Sequence, residues 1–344
     1  MQRQPEVLTT ARPREPGRQQ NGAMVSVIIP AYRAARYIAQ ALDSVVAQTY
    51  GPIEIIVVND ASPDSEELEH VLSRFGERVR YLRREANGGP GAARNTGIMA
   101  AGGDYLAFLD ADDYWDHTFL ADQMAYVECH PDVALVYCNA SWFLEGSGQV
   151  IGTLMSVMPS HGEATFESLI RQDCTIGTSA VVVRRQAVLD AGLFDPAIGN
   201  YSEDFDLYLR LTKSGARVGY HRKLLVHHRV HAESLTAEPV RLLEGVLRVL
   251  DKTAGRPDLT DPQRDALATT RLRIAAELAH LQARLALSRG DFAIALQNAS
   301  AAHTYYRTWK LKAVVLALRL FPALLRHVDR VRAEFARRRA PAAR

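Results

Sequence analysis

The chain has 344 residues, 47% hydrophobic and 23% charged, which excludes a disordered or collagen-like polypeptide and leaves room for a catalytic domain plus an appendage. Its formal charge of +2 is uneven: residues 305–344 carry eleven Lys and Arg against two acids, a local +9, and residues 1–23 carry +2, which leaves −9 for residues 24–304. An acidic body argues against a nucleic-acid-binding core, and three cysteines without metal-like spacing (Cys129, Cys138, Cys174) argue for a reducing, cytoplasmic setting.

Residues 1–23 are polar, lack the apolar segment of a signal peptide, and read as a disordered leader. Val25 to Ile29 is a β-branched run ending at Pro30, as a buried parallel strand would. Ile38, Leu42, Val45 and Val46 give the stretch 34–50 helical spacing. Ile53 to Val58 is a second buried strand, ending at Asn59-Asp60; 64–75 reads as a helix and 79–82 as a third strand. Gly88 to Gly91 reads as a loop, 92–101 as a helix, and Tyr105 to Leu109 as the next strand. Further strands are expected at 135–137 and 180–183, and a helix over 205–211, just after Glu203-Asp204.

From Val240 the character changes to helical spacing, broken at Arg289-Gly290-Asp291-Phe292. A helical hairpin is expected over 239–304, followed by a basic amphipathic tail over 305–344 kinked at Pro322. No run reaches the roughly 20 apolar residues of a membrane span.

Repeated strand–helix–strand units with apolar strands imply a mostly parallel, Rossmann-like sheet flanked by helices, with ligands at the carboxyl ends of its strands. Pro30-Ala31-Tyr32, Asn59-Asp60 and Asp110 to Asp113 all belong to that edge. Asp110-Ala111-Asp112 directly after a buried strand places two carboxylates on one side, a donor set suited to Mg²⁺ or Mn²⁺ carrying a diphosphate.

Five ordered blocks carry a more specific likeness: VSVIIPAYRAARYIAQALDSVVAQTY, EIIVVNDASPD, NGGPGAARNTGI, FLDADDYW and VVVRRQAVLDAGLFDPAIGNYSEDFDLYLRL. Together they resemble a family 2 glycosyltransferase over about residues 24–235, which implies the glycosyltransferase A fold, a catalytic domain over 24–238 and an inverting, metal-dependent transfer from a nucleotide-sugar.

On that resemblance, Pro30, Ala31 and Tyr32 would line the base, and Asp60 would accept a hydrogen bond from it, most naturally the imide N–H of uracil. Arg94 would sit near the diphosphate or the base, and Gly88, Gly89 and Gly91 would let the backbone approach the donor. Asp110, with Ala111 beside it, would hold the ribose, Asp112 and His231 the metal, and Asp113 a ligand or the sugar. Asp204, with Glu203 as the second choice, would be the base that takes the acceptor's proton. Thr178, Ser179, Tyr114 and Trp115 would line the acceptor cleft.

The expected acceptor is a glycan, a lipid-linked or a protein-linked hydroxyl, as in surface polysaccharide or glycoconjugate synthesis. Two other functions compete. A sugar nucleotidyltransferase would carry a Gly-rich signature loop where Pro30-Ala31-Tyr32-Arg33 stands, and an inactive transferase-like membrane scaffold would not need Asp110, Asp112 and Asp204 intact. The basic tail suits either the anionic inner face of a membrane or a protein surface; sugar identity, metal choice and oligomeric state are not legible.

Overall fold

The computed structural model describes residues 22–158, 160–231 and 238–320. It divides into two compact units, the first running to Ala237 and the second beginning at Glu238.

The first unit is built on one nine-stranded sheet. Its strands are β1 (Val25–Ala31), β2 (Ile53–Asn59), β3 (Val79–Arg83), β4 (Tyr105–Phe108), β5 (Tyr114–Trp115), β6 (Val133–Leu144), β7 (Val150–Thr153), β8 (Val181–Arg184) and β9 (Arg217–Val230). The spatial order is β3-β2-β1-β4-β8-β6-β9-β5, with β7 added beside β6.

The half made of β3, β2, β1 and β4 is parallel, as the apolar runs predict. Val25, Val27, Ile28 and Ile29 are all fully buried because helices cover both faces there. Helices Ile38–Val46, Ser65–Ser73 and Gly89–Ala100 provide the crossovers. The second half is mixed: β4–β8, β8–β6, β6–β7 and β9–β5 run antiparallel, while β6–β9 is parallel. This is an α/β sheet flanked by helices, and every strand expected from sequence is present.

Two boundaries differ from expectation in ways that matter for the site. The glycine segment is not a loop leading to a helix at 92, because the helix already begins at Gly89. Pro90 sits in its first turn, where a missing N–H costs nothing. Glu203 and Asp204 do not precede their helix but form its first turn, Glu203–Lys213.

The second unit is helical: Pro239–Ala254, Asp261–Arg289, Phe292–Tyr306 and Trp309–Leu320. The hairpin expected over 239–304 is therefore three helices. The first break, at 255–260, is set by Gly255 and a capping box in which Thr260 and Gln263 satisfy each other's backbone N–H groups. The second is set by Gly290, left-handed at φ +77°. Small side chains let the helices approach closely: Ala283, Ala286, Ala295 and Ala299 form a core with Val315 and Leu318 of the last helix. Pro322, the leader up to residue 21 and the segment 232–237 lie outside the described residues. Among the described residues no helix is long and apolar enough to cross a membrane.

Candidate active site

The carboxyl ends of β1, β2 and β4 stand side by side, with Ala31 paired to Asn59 and the N–H of Leu109 donating to Ile28. Chain reversals just beyond these ends carry the polar residues. At the first, the Ala31 carbonyl accepts from the Asp60 N–H, which ties the ends of β1 and β2 together. Pro30 is half-buried, Ala31 buried and Tyr32 exposed.

Asp60 is buried, and its carboxylate accepts from the Arg84 guanidinium and from the N–H groups of Gly88 and Gly89 at 3.1 and 2.7 Å. The positive end of the helix that starts at Gly89 is thus occupied by the protein's own carboxylate. The predicted bond from Asp60 to a base would have to share an acceptor that already holds three donors. The glycines do permit close approach, but to the protein's own side chains. A Cβ on Gly89 would lie 1.8 Å from Asn200 Oδ1, and one on Gly91 would lie 3.1 Å from Glu203 Cγ.

Further along the same helix, Arg94 is fully buried. It donates from Nη1 to Glu203 Oε1 at 2.7 Å and from Nη2 to Asp110 Oδ1 at 2.6 Å, and its guanidinium stands over the Phe194 ring. Burial works against the charge of Arg94, but Asp110 and Glu203 outweigh it and hold the guanidinium above its ordinary value. Both Nη groups of Arg94 thus bridge two predicted site carboxylates. Burial in turn pushes the Glu203 carboxyl up, with Arg94 opposing it.

Asp204 projects from the first turn of its helix. One oxygen accepts from Thr178 Oγ1 at 2.6 Å and the other from the N–H of Phe205 at 2.7 Å. The fully buried Tyr208 ring lies one helical turn on, and burial raises its hydroxyl far above the ordinary range. Thr178 and Ser179 belong to a short turn before β8. Ser179 Oγ donates to Asp113 Oδ2 at 2.7 Å and accepts from the Asp110 N–H at 3.1 Å. Both residues orient carboxylates, a role that the expected acceptor cleft did not include.

The acidic corner is clamped from the far side by the end of β9. Asp113 is fully buried and accepts from His228 Nδ1 and from the Arg229 N–H, each at 3.0 Å. Burial alone would lower the His228 ring, but Asp113, with Asp112 and Asp110 behind it, pushes it up to about 9. The Asp113 carboxylate thus ties together the Ser179 turn and the end of β9. Arg229 Nε also donates to the Asp112 carbonyl at 2.9 Å.

His231, one residue past β9, donates from Nε2 to Asp112 Oδ2 at 2.8 Å and packs on Tyr37. Burial opposes ionisation of Asp112, but His231 and the nearby His228 outweigh it and hold the carboxyl below its usual range. Ala111 between the two aspartates is buried.

The two residues expected to hold a metal are therefore adjacent. Among the described residues no cluster of three or more His, Cys, Asp or Glu forms a complete cage. Asp112 Oδ2 and His231 Nε2, 2.8 Å apart, are an oxygen and a nitrogen donor of the kind that would hold a divalent cation.

The aromatic residues divide. Trp115 is buried, stacks on Phe119 at 4.1 Å and donates to the Ser179 carbonyl, so it belongs to the core and not to an acceptor cleft. Tyr114 is stacked on His227 at 4.5 Å. Arg84, Asn200, His228 and Arg229 were not assigned from sequence. Only His228 carried a signal, as one of three histidines in the span 227–231.

The family model for Glycosyl transferase family 2 matches residues 26–192. The chain is similar to "Uncharacterized glycosyltransferase RP339" of Rickettsia prowazekii (strain Madrid E), 32% identical over 233 residues that make up 64% of this chain and 68% of that protein. It is 28% identical over 221 residues, 64% of this chain and 82% of the relative, to the UDP-Glc:alpha-D-GlcNAc-diphosphoundecaprenol beta-1,3-glucosyltransferase WfaP of Escherichia coli. Some other matched relatives are much longer, and the chain spans 35% and 34% of the length of two of them. Among solved structures, the mannosyltransferase PcManGT from Pyrobaculum calidifontis in complex with GDP-Man and Mn²⁺ superposes with a TM-score of 0.60 at 18% identity, covering 91% of this chain and 84% of that one.

Proposed function

The chain belongs to glycosyl transferase family 2, and from that premise we propose that it transfers a sugar from a nucleotide-diphosphate sugar, a UDP-sugar by preference, to a hydroxyl of a glycan, lipid-linked or protein-linked acceptor, with inversion at the anomeric carbon. The observation that carries this reading is the group of side-chain contacts at one sheet edge: Asp112 beside His231, Asp113 on Ser179, Thr178 on Asp204, and Arg94 between Glu203 and Asp110. UDP and a diphosphate-lipid acceptor are supported by the activity for which the Escherichia coli relative is named, and Mn²⁺ by the mannosyltransferase complex.

Pro30, Ala31 and Tyr32 line the base. Asp60, in this reading, acts chiefly by fixing the segment 84–89 beside it, with any capacity left over turned to the base. Asp110, one oxygen of which is held by Arg94, presents its partly exposed carboxylate to the ribose. Asp112 and His231 would hold Mg²⁺ or Mn²⁺, and the chemistry such an ion would supply is neutralisation of phosphate charge.

Asp204 is the base. The acceptor O–H proton passes to its carboxylate as the acceptor oxygen bonds to C1 and the C1–O bond to the diphosphate breaks, the electron pair leaving with the diphosphate. Thr178 and the helix N–H each occupy one lone pair and hold Asp204 in place without neutralising it. Glu203 is bound to Arg94 and positions the helix start, which makes Asp204 the better candidate.

The test is release of nucleoside diphosphate from UDP-, GDP- and dTDP-sugars with Mn²⁺ or Mg²⁺. Turnover of one donor is expected to fall about 100-fold or more in Asp112→Ala and by about 100- to 10,000-fold in Asp204→Asn. Turnover indifferent to both substitutions would overturn the assignment.

A further inference from the structure

The last described helix, Trp309–Leu320, turns one face into the helical unit and leaves the opposite face in solvent. Val315 and Leu318 are buried against Ala283, Ala286, Ala295 and Ala299. Yet Trp309, Leu316 and Leu320 are 74%, 55% and 59% exposed, and Ala313 is exposed with them. At 3.6 residues per turn these four fall within an arc of about 60°, centred almost opposite the buried pair. They form a continuous apolar row along the helix.

The charges are ordered around that row. Lys310 lies about 90° to one side of it, and Lys312 and Arg319 lie about 70–90° to the other. All three cations are exposed, as is Arg307 just before the helix. From Phe292 to Leu320 the chain has no Asp or Glu. An apolar row bordered on both sides by long cationic chains, with a tryptophan at its start, is the arrangement of a helix lying in a lipid interface. Apolar side chains enter the acyl boundary, Lys and Arg reach outward to anionic headgroups, and the indole sits between.

We propose that Trp309–Leu320 docks this protein on an anionic lipid surface, with Trp309, Ala313, Leu316 and Leu320 inserted and Lys310, Lys312 and Arg319 on headgroup phosphates. Charge complementarity favours this occupant over a second copy of the chain, whose identical face would set cations against cations. The inference does not depend on the proposed reaction, because docking needs no donor turnover.

The test uses the full chain in vesicle flotation, with phosphatidylcholine alone and with an equimolar mixture of phosphatidylcholine and phosphatidylglycerol. Wild type is expected to float with the mixture only, and less as salt rises. Leu316→Glu with Leu320→Glu is expected to lower the bound fraction about tenfold or more, and Lys310→Glu with Lys312→Glu to lower it comparably. Both pairs are on exposed positions, so circular dichroism should be unchanged. A blue shift of tryptophan emission on the mixed vesicles should disappear in Trp309→Phe. Absence of flotation on anionic vesicles overturns the proposal, as does equal flotation by the Leu316/Leu320 variant. A dimer abolished by that variant, without vesicle binding, assigns the face to a second copy and also overturns it.

Discussion

Arg94 is the residue on which the charge balance of the cleft turns. It is buried, it contacts Glu203, which is also buried, and it contacts Asp110, which keeps access to solvent. Removing the guanidinium strands the Glu203 carboxylate in a low-dielectric site, which costs about 3 kcal/mol or more. Arg94→Met should therefore lower the unfolding free energy of the first unit, measured in urea, by about that much. Arg94→Lys should recover only part of it, because a single ammonium cannot span two carboxylates as the fork does. The double variant Arg94→Met with Glu203→Gln should be more stable than Arg94→Met alone. A loss below about 1 kcal/mol in Arg94→Met would mean that Glu203 is already protonated in the native protein. Arg94 was legible in sequence as a site residue only through the family pattern. That its partners are Glu203 and Asp110 was not, since the first is 109 positions away and no local spacing encodes the contact.

At the level of elements, the helix Gly89–Ala100 depends on its first residue. Gly89 has φ +81° and faces Asn200. Gly89→Ala combines backbone strain of about 1–2 kcal/mol with a side-chain overlap, and the melting temperature should fall accordingly. Adding Asn200→Ala should relieve the overlap and leave the backbone part. Full recovery would mean that the backbone at Gly89 accepts a side chain without strain. β1, β2 and β4 were legible because each is a short, largely apolar run. β9 was not, because RVGYHRKLLVHHRV mixes charge into both faces and its register against β6 shifts three times, so no period of two survives. β5, two residues long, is below the length at which any pattern exists.

For the whole molecule, the division at residue 237 separates two kinds of surface. Every residue proposed here for donor, metal and base belongs to the first unit, together with the continuous core from Val25 to Val226. The lipid-facing row belongs to the second. A chain ending at Ala237 should therefore keep UDP binding in the presence of Mn²⁺ by calorimetry and lose vesicle flotation. Loss of both would mean that the first unit does not fold alone.

β9 has a consequence for how the protein is made. The acidic corner at 110–113 is complete only when His228, Arg229 and His231 reach it, from chain synthesised more than a hundred residues later. At 5–20 residues per second, a ribosome needs about 6–24 s to supply that interval. Until then β6 and β5 lack the strand that joins them. Slow decoding just before codon 217 would extend the life of that open sheet, and faster decoding there would shorten it.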